Sequence, residues 1–269
     1  MKIGVSGPFT GKRSAYGDLI KARTRQITEE MNLEDKVNFV FIDDNAQVSY
    51  AMKAAKTFIE EKVDAVIGHF NSECAKNVAK EYHKNQMLFV APASTAVQIP
   101  YENEGYVYRT CPNNKDQIHL IKKYILKNKI LKLGIIQDDT PYSDELSIIT
   151  KKVLGKIGVE IFELKECKSI EDIDTYWFLG THYFCMEKAM ELLKTSKLST
   201  MLFCDDCYIG EFINHFTNQI YENNLLVVGL MHEDGFGNCY KKALESLILL
   251  LFKSKPFKVE KENWKLYKI

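Results

Sequence analysis

The chain has 269 residues, 46% hydrophobic and 27% charged, and its 36 basic and 36 acidic side chains leave a formal net charge of zero. That length can hold one large α/β domain or two small lobes with real cores. Balanced charge excludes a general nucleic-acid binder or an acidic-membrane binder, since each needs a basic excess.

Lys2–Ser6 (KIGVS) reads as the first strand with no charged or apolar leader before it, which predicts a cytoplasmic protein. The alternative is an exported protein whose signal segment has been replaced by a start Met. The following loop is not a phosphate loop. Only three residues separate Gly7 from Gly11, and Arg13 stands between Lys12 and Ser14. A helix over 16–31, a strand over 37–42 and a helix over 48–61 come next. Asp43 and Asp44 end the strand and read as solvated turn acids rather than a cation site.

Residues 64–96 organise the rest: strand 64–67, turn 68–73, helix to 83, strand 87–90, and a second turn at 91–95. Two apolar runs joined by a helix make a right-handed βαβ unit, which places both turns at the carboxyl ends of parallel strands, where open α/β sheets bind ligands. Each turn carries a small hydroxyl residue, Ser72 and Thr95, with free N–H groups expected at or near a helix start. That arrangement suits a carboxylate or another small anion, although each hydroxyl could simply cap a helix. A strand over 106–109 follows, and Pro112-Asn113-Asn114 breaks the pattern. The second series reads as helix 115–126, strand 132–137, helix 144–157, strand 159–164, strand 174–180 and a helix to 193. It continues with strand 200–203, helix 208–218 and strand 225–230. Helix 240–252 and an alternating strand from Trp264 complete it. The run Leu247–Phe252 is too short to span a bilayer, so no direct membrane insertion is expected.

Seven cysteines without framework spacing do not predict a disulfide scaffold. His182 with Cys185, and Cys204 with Cys207, have metal-ligand spacing after neighbouring strands. Neither pair has the glycine-bearing knuckle of a structural zinc site, and ordinary core packing is the preferred reading of buried thiols. A redox pair is less favoured, because Asp205 and Asp206 between the cysteines oppose thiolate formation. No nucleophile elbow, zincin or dinucleotide fingerprint occurs. His69 beside Ser72 reads as a packing or capping residue rather than a base. A non-catalytic protein without a cofactor is therefore expected.

VIGHFNSECA and MLFVAPASTA resemble the paired segments of the branched-chain amino-acid binding proteins, in the type I periplasmic-binding-protein superfamily. The likeness extends to KIGVSGPFTGKRSAYGD, FIDDNAQVSYAMKAAKTFIEEKVDAVIG, YVYRTCPNNKDQ, KLGIIQDDTPYSDE and the 198–207 stretch. It implies an α/β fold of two lobes, each a mainly parallel sheet flanked by helices. Lobe 1 would be 1–113 plus 232–257, and lobe 2 would be 114–231 plus 258–269.

By the same resemblance, Phe70, Asn71, Ser72, Ala93, Ser94 and Thr95 fall on the turns that hold the ligand's carboxylate and backbone. Tyr16 falls at the rim, Tyr142 on an aromatic wall, and Asp206 where an acid meets the ammonium. His182 replaces a common aromatic and Glu73 a small polar residue, so the pocket is expected to be more polar than one for leucine. Ala46 and Asn71 stand where family members often have a disulfide, and the chain is shorter than the family pattern after residue 230. The expected function is hinge closure on a small polar solute, an amino acid or amide, with an ABC permease as partner. A ligand sensor or carrier of the same fold, acting on a regulatory protein, is the alternative. No nucleic acid is expected as a partner.

Overall fold

The computed structural model describes residues 1–164, 172–195, 199–217, 224–230, 236–253 and 263–269. Contacts divide the chain into two units: Met1–Asn113 with Phe236–Glu262, and Asn114–Gly235 with Asn263–Ile269. The expected return of the chain after residue 230, and the shortened stretch before Trp264, lie largely outside the described residues.

The first unit alternates β1 (Lys2–Gly7), α1 (Ser14–Glu30), β2 (Asn38–Asp43), α2 (Val48–Glu60), β3 (Ala65–Gly68), α3 (Ser72–Lys84), β4 (Leu88–Ala91) and β5 (Val107–Arg109). The strands run parallel in the order β2-β1-β3-β4-β5. Alternation along the strands decides which face each residue covers. Val66 and Phe89 pack with Ala54, Phe58, Val78 and Tyr82 of α2 and α3. Ile3, Val5 and Ile67 pack on the other face with Ile20 and Ile27 of α1. The last helix of the chain, α8 (Phe236–Lys253), adds Leu244 and Leu247 to this second face. The Thr24 and Tyr240 hydroxyls, 2.8 Å apart, tie α1 to α8.

The second unit contains α4 (Asn114–Lys127), β6 (Lys132–Gln137), α5 (Pro141–Gly155), β7 (Glu160–Glu163), β8 (Thr175–Leu179), α6 (His182–Leu193), β9 (Thr200–Phe203), α7 (Gly210–Thr217), β10 (Asn224–Leu230) and β11 (Trp264–Lys268). The sheet order is β11-β10-β9-β8-β6-β7. Among the described residues only β11, on the edge, runs antiparallel, pairing Trp264 with Leu230 and Lys268 with Leu226. The aromatic core includes Phe178 stacked on Phe203 at 4.9 Å, with Phe212 of α7 edge-on at the same distance. Burying each such side chain stabilises the unit by about 1.5–3 kcal/mol. Two mainly parallel sheets flanked by helices agree with the expected fold class. The helix expected over 208–218 is shorter, because a 3-10 turn over Asp205–Cys207 occupies the chain before it.

Candidate functional site

In the first unit the strand order reverses between β1 and β3, so the loops leaving those strands diverge and leave a crevice at their carboxyl ends. Gly68 makes the turn possible. Its φ of +141° is a glycine conformation, and a Cβ there would stand 2.0 Å from the Ser6 carbonyl oxygen. His69 follows at φ +47° and is fully buried. Its Nδ1 donates to Asp44 Oδ2 at 3.1 Å, and its Nε2 meets the Tyr82 hydroxyl at 2.9 Å. The packing reading of His69 therefore agrees with its surroundings.

Asp44 is also fully buried and accepts from Ser6 Oγ and the Ala46 amide. Asp43 accepts from the Phe9 and Asn45 amides and from the Thr10 hydroxyl. The expectation of two solvated turn acids is corrected: both carboxylates are spent on holding the loops at the ends of β1, β2 and β3. Burial raises the Asp43 carboxyl, but the hydrogen bonds from Thr10, Asn45 and Phe9 outweigh it and leave the group below the ordinary carboxylate range.

Phe70 is buried, and its ring lies 4.2 Å from that of Tyr16, tilted by 32°. The pair lines a small apolar recess together with Ile20, Ala93 and Tyr240. Asn71 precedes α3 without capping it, and its Oδ1 is buried with no hydrogen-bond partner among the described residues. Ser72 begins α3, and its Oγ accepts from the Ala96 amide at 3.1 Å. Ser94 is buried and donates to the His69 carbonyl at 3.2 Å. Thr95 is buried too, with no hydrogen bond to its hydroxyl among the described residues. The two turns are thus fastened to each other twice.

Two expectations here are corrected. No helix follows Thr95: the chain continues as a loop to β5, so this hydroxyl has no helix start beside it. Glu73 is exposed and paired with Lys76 at 2.8 Å, so it does not make the recess polar.

Arg109, at the end of β5, was not singled out from the sequence. It is 2% exposed, pairs with Glu102 at 2.6 Å, and donates to the carbonyls of Ser94 and Ala96. Arg109 therefore fixes the shape of the second turn. Only the unusual burial of an arginine reveals it, and burial is not visible in the motif.

In the second unit Asp138 joins the loops after β6 and β8, the two strands flanking its own order reversal. It accepts from the Thr140 hydroxyl at 2.6 Å and the Thr181 amide at 2.8 Å. Tyr142 is half-buried on the first turn of α5, and its hydroxyl donates to Asp205 Oδ1. Gln117 Nε2 donates to the same oxygen at 2.6 Å. Burial, with the neighbouring Cys204 and Asp206, pushes Asp205 up to about 7 against these hydrogen bonds. Burial first, and then Asp205, raise Tyr142 well above the ordinary phenol range. Asp205 also escaped the sequence reading, since its partners lie 63 and 88 positions away.

Asp206 Oδ2 accepts from the His182 amide at 3.0 Å and faces His182 Nδ1 at 3.4 Å. Its helix-capping contact is therefore with α6. His182 is buried, with Nε2 3.7 Å from Glu211 Oε2. Cys185, Cys204 and Cys207 do meet, and all three are fully buried. His182 is not part of that cluster, so the candidate metal set loses its histidine.

Residues 1–166 match the family model described as periplasmic binding protein. Leu/Ile/Val-binding protein homolog 2 of Brucella abortus is 31% identical over 164 residues, 59% of this chain and 44% of the relative. The match thus spans less than half the length of the curated relatives. Among solved structures, a leucine-binding protein LivK from Thermotoga maritima superposes with a TM-score of 0.79 at 21% identity, covering 96% of this chain and 84% of that one. An ABC transporter substrate-binding protein from Desulfitobacterium hafniense, in complex with Leu, gives 0.73 at 18% identity over 95% and 84%. These similarities give no support to the cytoplasmic reading. Among the described residues no helix is long and apolar enough to cross a membrane. The family and these neighbours are non-catalytic binding proteins. The chain belongs to the periplasmic binding protein family, type I.

Proposed function

We propose that this chain is the solute-binding component of an ABC-type importer, exported from the cytoplasm, that closes by hinge motion on an amino acid or amide-like solute. The observation that carries the reading is the arrangement of Ser72 and Thr95. Ser72 accepts from the Ala96 amide, which leaves its own hydroxyl proton to donate, and Thr95 has no partner among the described residues. Both sit at carboxyl ends of parallel strands, and Ser72 begins α3, where N–H groups have no intrahelical acceptor. Two hydroxyl donors and a helix start suit a carboxylate. Tyr16, Phe70 and Ala93 offer an apolar lining for the solute's carbon atoms. Asp206 is assigned the solute's ammonium or amide nitrogen, with Tyr142 and His182 beside it.

The test is a thermal-shift screen of amino acids, amides and simple carboxylates, followed by calorimetry on the best. A solute at about 100 times its Kd stabilises the protein by roughly 2.7 kcal/mol. No shift with any amino acid or amide would reject the reading. Small-angle scattering with and without the best solute tests hinge closure, which predicts a smaller radius of gyration on binding. Solute uptake by host cells lacking the gene tests the importer role. Normal uptake would point instead to a sensor acting on a regulatory protein.

A further inference from the structure

The second unit holds a cluster that solute binding does not use. Cys185 lies one turn into α6, three residues after His182, so it faces the same side of the helix. Cys204 follows the last residue of β9, and Cys207 ends the 3-10 turn that comes next. The amide of Cys207 donates to the carbonyl of Cys204 at 3.0 Å, which folds the two side chains toward one side. The three sulfurs lie within 4.8 Å of one another, none is in a disulfide, and all three residues are fully buried.

A metal with metal–sulfur bonds of about 2.3 Å in a plane of three thiolates needs sulfur–sulfur edges of about 4 Å. The cluster reaches that by closing each edge by less than about an ångström, within what side-chain rotation supplies. Three buried thiols in contact gain little from one another as hydrogen-bond partners, because S–H is a weak donor and sulfur a weak acceptor.

The donor set selects among ions. All three ligands are soft thiols, which favour thiophilic metals over magnesium or calcium. No fourth His, Cys, Asp or Glu atom joins the group among the described residues. The imidazole of His182, three residues before Cys185, is turned toward Asp206 and Glu211. Structural zinc takes four protein ligands, whereas a soft monovalent ion accepts three thiolates without a fourth.

We propose that Cys185, Cys204 and Cys207 form a three-thiolate site for a soft, thiophilic metal ion of which monovalent copper is the representative. Binding one monovalent ion releases three thiol protons with no change of oxidation state and leaves a trithiolate of net charge −2, so affinity rises with pH until the thiols are deprotonated. The bound ion would clamp the start of α6 to the turn after β9. The site stands independently of the solute reading, since none of its three ligands is assigned to the solute.

The test uses the full chain, reduced and metal-free, under anaerobic conditions. Copper(I) is supplied as its bicinchoninate complex, and transfer is followed by loss of that complex's colour. The expected result is one copper per chain, with affinity falling by more than about 100-fold in Cys185→Ser and in Cys204→Ser. That exceeds the loss expected from a partner outside the ligand shell. Cys74→Ala and Cys239→Ala, at buried thiols outside the cluster, should bind as wild type does. X-ray absorption at the copper edge of the wild-type protein guards against variants that fail to fold, and should show one shell of three sulfurs. No transfer, a shell containing nitrogen or oxygen ligands, or equal affinity in folded Cys204→Ser would overturn the proposal. Stoichiometric zinc held more tightly than copper(I) would overturn it as well.

Discussion

The amide of Ala96 donates to Ser72 Oγ at 3.1 Å, so the hydroxyl that begins α3 also positions the residue after Thr95. One side chain thereby carries two jobs: it sets the distance between two strand-end turns and presents a donor beside them. Removing it is expected to affect stability and binding together, which gives a way to separate the two.

Ser72→Ala should lower stability by about 1 kcal/mol, the cost of leaving the Ala96 amide poorly paired. Thr95→Val keeps the shape and has no hydrogen bond to lose, so it should leave stability nearly unchanged. The double variant should weaken solute binding by roughly 2–4 kcal/mol, since charge-assisted hydrogen bonds are worth about 1.5–3 each. Calorimetric titration and urea unfolding read the two quantities. An unchanged Kd in the double variant would remove the carboxylate from these turns.

Gly68→Ala should be among the most damaging single changes in the first unit. The new methyl would stand 2.0 Å from the Ser6 carbonyl at a φ of +141°. A cost above about 2 kcal/mol is expected. Gly105→Ala is the control, because its φ is +96° but no atom lies within 4 Å of the added carbon. Urea midpoints showing equal losses for both would contradict the close approach at Gly68.

Asp43 predicts a limb of the acid-unfolding curve. Its folded-state carboxyl lies below the ordinary value of 3.8, so its contribution is present above that pH. The contribution is lost as the pH falls below about 4, through the folded value. The stability difference between wild type and Asp43→Asn should be flat at neutral pH and shrink below about pH 4. A difference that instead grows on acidification would reverse the assigned sign.

Arg109→Met removes a buried guanidinium from Glu102 and from the Ser94 and Ala96 carbonyls. A loss of roughly 3 kcal/mol is expected, in the range for breaking a buried pair. Solute affinity should fall as well, because the second turn loses its clamp. If urea unfolding shows the loss but titration gives wild-type affinity, the turn does not hold the solute.

Asp206→Asn keeps an oxygen to accept from the His182 amide, so stability should change by no more than a few tenths of a kcal/mol. If Asp206 meets a cationic group on the solute, affinity should drop by about 2–5 kcal/mol. Equal affinities on titration would reject that role while leaving the capping contact intact.

The sequence by itself determined the βα alternation, the two parallel series and the turns that matter. Strand faces are written in a two-residue period, as in Ala65 and Ile67 against Val66, and glycines such as Gly68 mark where only one backbone serves. It did not determine which polar groups those turns would consume. Asp44 and His69 are 25 positions apart, Gln117 and Asp205 are 88, and no local spacing encodes such pairings. Adjacent acids look alike in a motif, but the structure buries Asp205 between Tyr142 and Gln117 and sets Asp206 on the start of α6. The cysteines illustrate the same limit. Two spaced pairs offered four candidate ligands beside a preferred packing reading, whereas the packing of α6 against the turn over Asp205–Cys207 brought three thiols together and turned His182 toward carboxylates. Side-chain direction at the end of a strand is decided by what packs against it, and that is a property of the folded chain.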